Sequence, residues 1–282
     1  MSRSAALHRN RSLTWFFVLA YGLSWGWLIP IGLSGGLVTA GKGWPTHFPA
    51  LLGPLLAAIV VIARQQGRAG VVGLMRRMVR VRMPLRWWLF AVSPLLVLAL
   101  VLTIEVTSGR PLPAYSGFAI FSGLPSRWGV VAVAATIFLV NGFGEETGWR
   151  GFALPTLQSR LRPLSSAVIV SVAWAGWHAP MFVVVDTFRS FSLSILIGWV
   201  AGLLCGSIVL TWLYNRSGGS ILLVAIWHAT YNVVSGTDGA EGLLAAVSTT
   251  LVVGLAVSLV GLEVRAMRRG GVSVLGPTCH DL

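Results

Sequence analysis

Asn141-Gly142-Phe143-Gly144-Glu145-Glu146-Thr147-Gly148-Trp149-Arg150 closes a run, residues 129–140, that carries no charged side chain. Two adjacent carboxylates at the end of an apolar helix are costly. A charge at membrane depth must be paired, hydrated or neutralised. The chain has only eight acidic residues, and two of them stand side by side here. They either cap a helix at a lipid surface or form a functional pair inside it, and the rest of the chain decides between these readings.

At 55% hydrophobic and 10% charged residues, with mean hydropathy +0.80, the composition excludes an ordinary soluble domain, in which roughly 25% of residues are charged. The net charge of +13 does not indicate nucleic-acid binding, because the basic residues lie between apolar runs and do not form one stripe. All of them but Lys42 are arginine, a bias compatible with a GC-rich bacterial genome and hence a bacterial plasma membrane. Cys205 and Cys279 offer neither a disulfide framework nor metal-ligand spacing. Arg3, Arg9 and Arg11 precede an apolar stretch far longer than a signal-peptide core, so it reads as an uncleaved first span.

The expected fold is an all-α, polytopic membrane bundle of about eight transmembrane helices. They fall near 13–38, 48–64, 87–107, 128–147, 164–186, 191–214, 219–237 and 242–264. Pro30 with Gly35 and Gly36 should tilt or break the first, and Pro94 and Pro180 should kink the third and fifth. With both termini in the cytoplasm, every basic residue except Lys42, Arg110, Arg127 and Arg189 falls on the cytoplasmic side, as the positive-inside rule asks. The chain divides into N-terminal helices 1–3 with a basic loop (1–127), a catalytic bundle (128–265) and a disordered tail (266–282). The basic stretch 65–86 reads equally as an interfacial helix or a plain loop. Residues 148–163 read as a surface-lying link. Gly198, Gly202 and Gly206 form a ridge suited to close helix packing.

Few polar side chains fall within these spans. His178 lies in the fifth, and His228 and Asn232 lie in the seventh at i and i+4, sharing one helix face. Glu146 and Arg150 have the same spacing, which predicts an ion pair. Glu145 is then turned about 100° away and left free, with Asn141 one turn before it. His8, His47 and His280 fall in loops or tails. The set Glu145, His178, His228 and Asn232 suffices for peptide hydrolysis. A carboxylate takes a proton from water and delivers it to the leaving amine, a histidine holds the water, and a second histidine with an amide stabilises the oxyanion. Glu145, His178 and His228 could instead ligate Zn²⁺, although no His-Glu-x-x-His helix is present. No metal is favoured.

At these residues the chain resembles the CAAX protease and bacteriocin-processing (CPBP, or Abi) intramembrane endopeptidases, which include the type II CAAX prenyl proteases. Their motifs are Glu-Glu-x-x-x-Arg, Phe-x-x-x-His and His-x-x-x-Asn/Asp. Here they read Glu145-Glu146 with Arg150, Trp174 with His178, and His228 with Asn232, so tryptophan replaces phenylalanine in the second. The resemblance implies a multi-pass membrane hydrolase in which Glu145 and His178 activate water and His228 and Asn232 form the oxyanion site. Glu146 and Arg150 are implied as support. The implied partners are membrane lipid and a peptide or protein substrate, prenylated or otherwise membrane-associated, with no nucleic acid. Two other classes stay open: a proton-coupled transporter, and a non-catalytic immunity or assembly factor on the same fold.

One difficulty is built into these boundaries. A fourth helix ending near 147 puts Glu145 at one membrane face, whereas His178 lies towards the other. The two meet only if the fifth helix starts deeper in the membrane or is broken near Gly176; the expectation is that residues 148–163 dip into the cytoplasmic leaflet and that the fifth helix begins late.

Overall fold

The computed structural model describes residues 3–277, with side chains from Arg11 onward. The apolar runs form nine helices among the described residues. They are α1 (Arg3–Leu33), α2 (Gly53–Met78), α3 (Leu85–Ala91), α4 (Ser93–Thr107), α5 (Ser126–Gln158), α6 (Pro163–Trp177), α7 (Leu193–Arg216), α8 (Ile221–Gly236) and α9 (Leu243–Arg268). Six helical segments are long and apolar enough to cross a membrane, seven if α3 and α4 form one bent span. The remaining expected segment is α8, only 16 residues long. No strand forms among the described residues; a few isolated bridges tie the loops at 38–42 to 122–125 and to Val185.

The helix breaks follow from prolines and glycines. Pro94 sits in the first turn of α4, where the missing N–H is harmless, and α3 and α4 meet at 59°. Pro180 lies beyond the end of α6 and opens the single turn Met181–Val184. Pro30 is held inside α1, which stops at Leu33 before Gly35. At Gly67 the backbone of α2 turns to φ +60°, and the helix resumes as far as Met78. The first part of the arginine-rich stretch is therefore helical as far as Met78, joined to the second span through a break at Gly67.

The largest departure from expectation is α5. It does not stop near residue 147 but runs on to Gln158, so the segment read as a surface link is helix. Trp149, Arg150, Phe152, Leu154 and Leu157 are buried there. Arg150 is consequently an interior residue and not a loop charge. The same extension removes the depth conflict. Glu145 precedes the α5–α6 turn, and His178 follows it, by nearly equal lengths of helix, so both stand roughly 20 Å from it. Helix α6 itself ends at Trp177, one residue past Gly176.

Helix α5 is the central element. Helix α2 packs on its middle and α8 on its first wide turn, while α7 lies between α6 and α9. Glycine makes these approaches possible. A Cβ on Gly144 would stand 2.6 Å from the Leu51 carbonyl oxygen, one on Gly148 2.6 Å from that of Pro54, and one on Gly142 2.8 Å from that of Ala225. Backbone therefore meets backbone on two sides of α5. The ridge expected at Gly198, Gly202 and Gly206 packs against no neighbouring element among the described residues: beyond the helix's own backbone, no atom of theirs lies within 4 Å of a Cβ at any of the three. That face of α7 points out of the bundle.

The apolar core runs without interruption from Phe16 on α1 through Trp149 to Val252 and Leu259 on α9. Of the tail expected to be disordered, residues 278–282 lie outside those described, and 266–268 belong to α9. The stretch before 278 folds back. The Glu263 carboxylate, buried on α9, accepts bonds from the Ser273 hydroxyl (2.8 Å) and from the Val274 and Leu275 N–H groups (2.6 and 3.0 Å). Asn215 and Arg216 at the end of α7 donate to the Leu275 and Val274 carbonyls.

Glycine contacts of this kind predict opposite outcomes for one substitution. Gly148→Ala should destabilise the protein by about 1–3 kcal/mol through overpacking. Gly202→Ala, with open space around it, should be neutral or stabilise by up to about 1 kcal/mol from helix propensity. Thermal unfolding of the two variants in detergent checks the sign of each.

Candidate active site

Glu145 and Glu146 lie in a short α-helical stretch, Phe143–Gly148, bounded on both sides by wide π-helical turns, Ile137–Gly142 and Trp149–Ala153. Such turns often occur at functional sites, because the extra residue re-aims the side chains that follow. Both carboxylates are buried, Glu145 at 2% exposure and Glu146 at 0%. Burial at this depth requires partners, and each carboxylate has them.

Glu146 is the hub of a charge network. Its Oε1 accepts from Arg150 Nη1 at 2.9 Å and from His228 Nδ1 at 2.7 Å. Arg150, fully buried, also lies over the Trp174 ring, with Cζ 4.5 Å from the centroid. The i, i+4 spacing pairs Glu146 with Arg150 as the sequence predicts. The bond to His228, across 82 residues of chain, was not foreseen.

Glu145 is not free. The Trp174 indole Nε1–H donates to its Oε2 at 2.6 Å, and Oε1 accepts no hydrogen bond among the described residues. His178 Nδ1 lies 2.7 Å from the Trp174 carbonyl oxygen. A carbonyl can only accept, so Nδ1 carries the proton and Nε2 keeps a lone pair. The imidazole sits at the end of α6 inside a ring of aromatics, Trp177 (4.8 Å between centroids), Trp199 (5.1 Å) and Phe188 (6.1 Å). The His228 and Trp174 rings meet nearly perpendicular to each other, with centroids 5.3 Å apart. Glu145, Glu146, Arg150, His178 and His228 are thus gathered around one indole.

Asn232 shares the helix face of His228 one turn on, is half-buried, and makes no hydrogen bond among the described residues. Asn141 is buried, with its Oδ1 unpartnered. It lies within the first π turn, so ordinary helical spacing does not relate it to Glu145. Among the described residues no three His, Cys, Asp or Glu side chains converge as metal ligands. The alternative zinc set of Glu145, His178 and His228 is therefore not assembled in ligand geometry.

Helix α1 also supports the site, although only its topology was read from sequence. Tyr21 and Trp25, one turn apart, donate to the carbonyls of Ala173 and Trp177, one turn apart on α6. The second of these is a carbonyl left without an N–H partner at a helix end. The i, i+4 spacing of Tyr21 and Trp25, two of the four aromatic donors on α1, was the available signal. His47, in the loop before α2, is buried, and burial pushes its pKa down to about 4, so it is neutral at physiological pH.

Removing the guanidinium from this network should be costly. Arg150→Met strands the Glu146 carboxylate with only His228, and the expected loss is about 3–5 kcal/mol, the range for breaking a buried ion pair. Thermal or denaturant unfolding in detergent measures it. An effect below about 1 kcal/mol would mean that the pair is not a structural requirement.

Comparison with known proteins bears on the same helices. Residues 127–234 match the family described as type II CAAX prenyl endopeptidase Rce1-like, a stretch that contains all three motifs. The chain is also 25% identical over 227 residues to the CAAX prenyl protease 2 of Methanococcus maripaludis, an alignment covering 77% of this chain and 80% of that protein. Over the helices that build the buried glutamate–histidine cluster, the chain is similar to the Rce1-like type II CAAX prenyl endopeptidases.

Proposed function

We propose that this protein is an intramembrane endopeptidase that hydrolyses peptide bonds of lipidated or otherwise membrane-associated substrates, with Glu145 as the proton-transferring group. The observation that carries this reading is the placement of a buried carboxylate and a buried histidine against one residue. Trp174 holds Glu145 through its side chain and His178 through its backbone. The similarity to CAAX prenyl endopeptidases supports a protease of this class.

The chemistry follows from which atoms are already engaged. With Oε2 bonded to Trp174, Oε1 of Glu145 is the oxygen available to a water molecule. The lone pair on His178 Nε2 accepts a second hydrogen bond from that water and orients it. As the water oxygen attacks the peptide carbonyl carbon, its proton passes to Glu145. The tetrahedral oxyanion then meets donors from α8, the Asn232 amide and the Nε2–H of a protonated His228. Glu146, bonded to His228 Nδ1, favours that protonated form, much as a buried carboxylate supports a catalytic imidazolium elsewhere. Collapse of the intermediate breaks the C–N bond, and the proton held by Glu145 goes to the departing amine. No step requires an added cofactor.

The test is cleavage of prenylated and unprenylated peptides by purified protein in liposomes. Glu145→Ala and His178→Ala should each lower kcat about 10²–10⁴-fold, the range for a general acid–base group. Asn232→Ala should cost about 10²–10³-fold, as for an oxyanion donor. Activity should survive a strong chelator. Cleavage that persists in Glu145→Ala overturns the assignment, and loss on chelation redirects it to a metal-dependent route.

A further inference from the structure

We infer that Trp174 is a positioning residue whose indole N–H fixes the Glu145 carboxylate and selects the oxygen that faces water; this rests on the hydrolytic reading above. The second motif ordinarily begins with phenylalanine, which offers a ring and no donor. Here the ring is kept and an N–H is added, and that N–H is spent on Glu145 at 2.6 Å. The indole is used on three sides at once. Its electropositive edge donates to the carboxylate, and its electronegative face receives the Arg150 guanidinium at 4.5 Å. The His228 ring abuts it at 5.3 Å and the His178 ring at 5.9 Å. Trp174 is itself 6% exposed, so no bulk water replaces a lost donor.

Two consequences follow from this arrangement. First, a carboxylate on a short helical stretch between two π turns can rotate about its terminal bond, and one firm donor to Oε2 removes that freedom. Second, the same residue's carbonyl fixes His178 Nδ1–H at 2.7 Å. Glu145 and His178 are therefore referenced to one residue, the first through its side chain and the second through its backbone. The backbone bond is indifferent to the side chain at 174, so Trp174→Phe removes one function and leaves the other.

The experiment has a kinetic arm and a spectroscopic arm. Trp174→Phe should lower kcat about ten- to hundredfold, the worth of one hydrogen bond to a charged group, with KM changed less than about twofold. Unchanged kcat, or a loss carried by KM alone, overturns the proposal. In ¹⁵N-tryptophan-labelled protein, the indole signal absent from Trp174→Phe identifies Trp174 among the thirteen tryptophans. That proton should resonate downfield and move upfield in Glu145→Ala while the signals of distant tryptophans stay in place. A Trp174 signal indifferent to Glu145→Ala overturns the proposal even if the variants lose activity. Wild-type protein that cleaves no peptide, with the Trp174 signal still following Glu145, overturns the hydrolytic reading and leaves the hydrogen bond standing.

Discussion

Ionised groups cannot be left alone in an apolar bundle. Glu145, Glu146 and Arg150 are all buried, and the solvation they have lost must be replaced by fixed partners. The replacement is shared among elements far apart in sequence: Arg150 from α5 itself, Trp174 from α6 and His228 from α8. Three helices are thereby tied to one point, each carboxylate held through one of its oxygens. Those bonds constrain how the surrounding helices can pack.

The packing around that point is dictated by what α5 lacks. Its glycines at 142, 144 and 148 let the backbones of α8, of Leu51 before α2 and of the first turn of α2 reach van der Waals contact. Close approach of this kind excludes lipid and water from the carboxylates and leaves polar partners as their surroundings. Low dielectric in turn strengthens each charge-assisted bond. Helix α1 completes the frame by fixing carbonyls on α6 on either side of Trp174.

The helical character, the approximate positions of the apolar segments and the three site-bearing helices were legible in the sequence, because hydropathy and the positions of proline and glycine report them directly. The end of the fourth segment was not. Residues 148–158 mix Arg150, Thr156 and Gln158 with apolar side chains, and such a stretch reads as interface when charge pairing is invisible. Once Arg150 is seen bonded to Glu146, the stretch reads as interior helix. The i, i+4 pair of Glu146 and Arg150 was legible from local spacing. The contacts of Trp174 with Glu145 and of Glu146 with His228 were not, since they span 29 and 82 residues. Asn141 lies in a π turn, which breaks the 3.6-residue period on which a helical wheel depends. The glycine ridge on α7 shows the converse, a motif with the right spacing and no neighbour to use it.

The short segment at 273–275 has a practical bearing on how this protein is handled. Among the described residues Glu263 bonds no basic side chain; its carboxylate is held by one hydroxyl and two backbone N–H groups from that segment. The same segment is stitched to α7 by Asn215 and Arg216, so it acts as a suture between the last helix and its neighbour. Trimming the C-terminus before Ser273, a routine choice for improving expression, would open that suture and expose a bare carboxylate on α9. Affinity tags and fluorescent fusions should leave residues 273–276 in place.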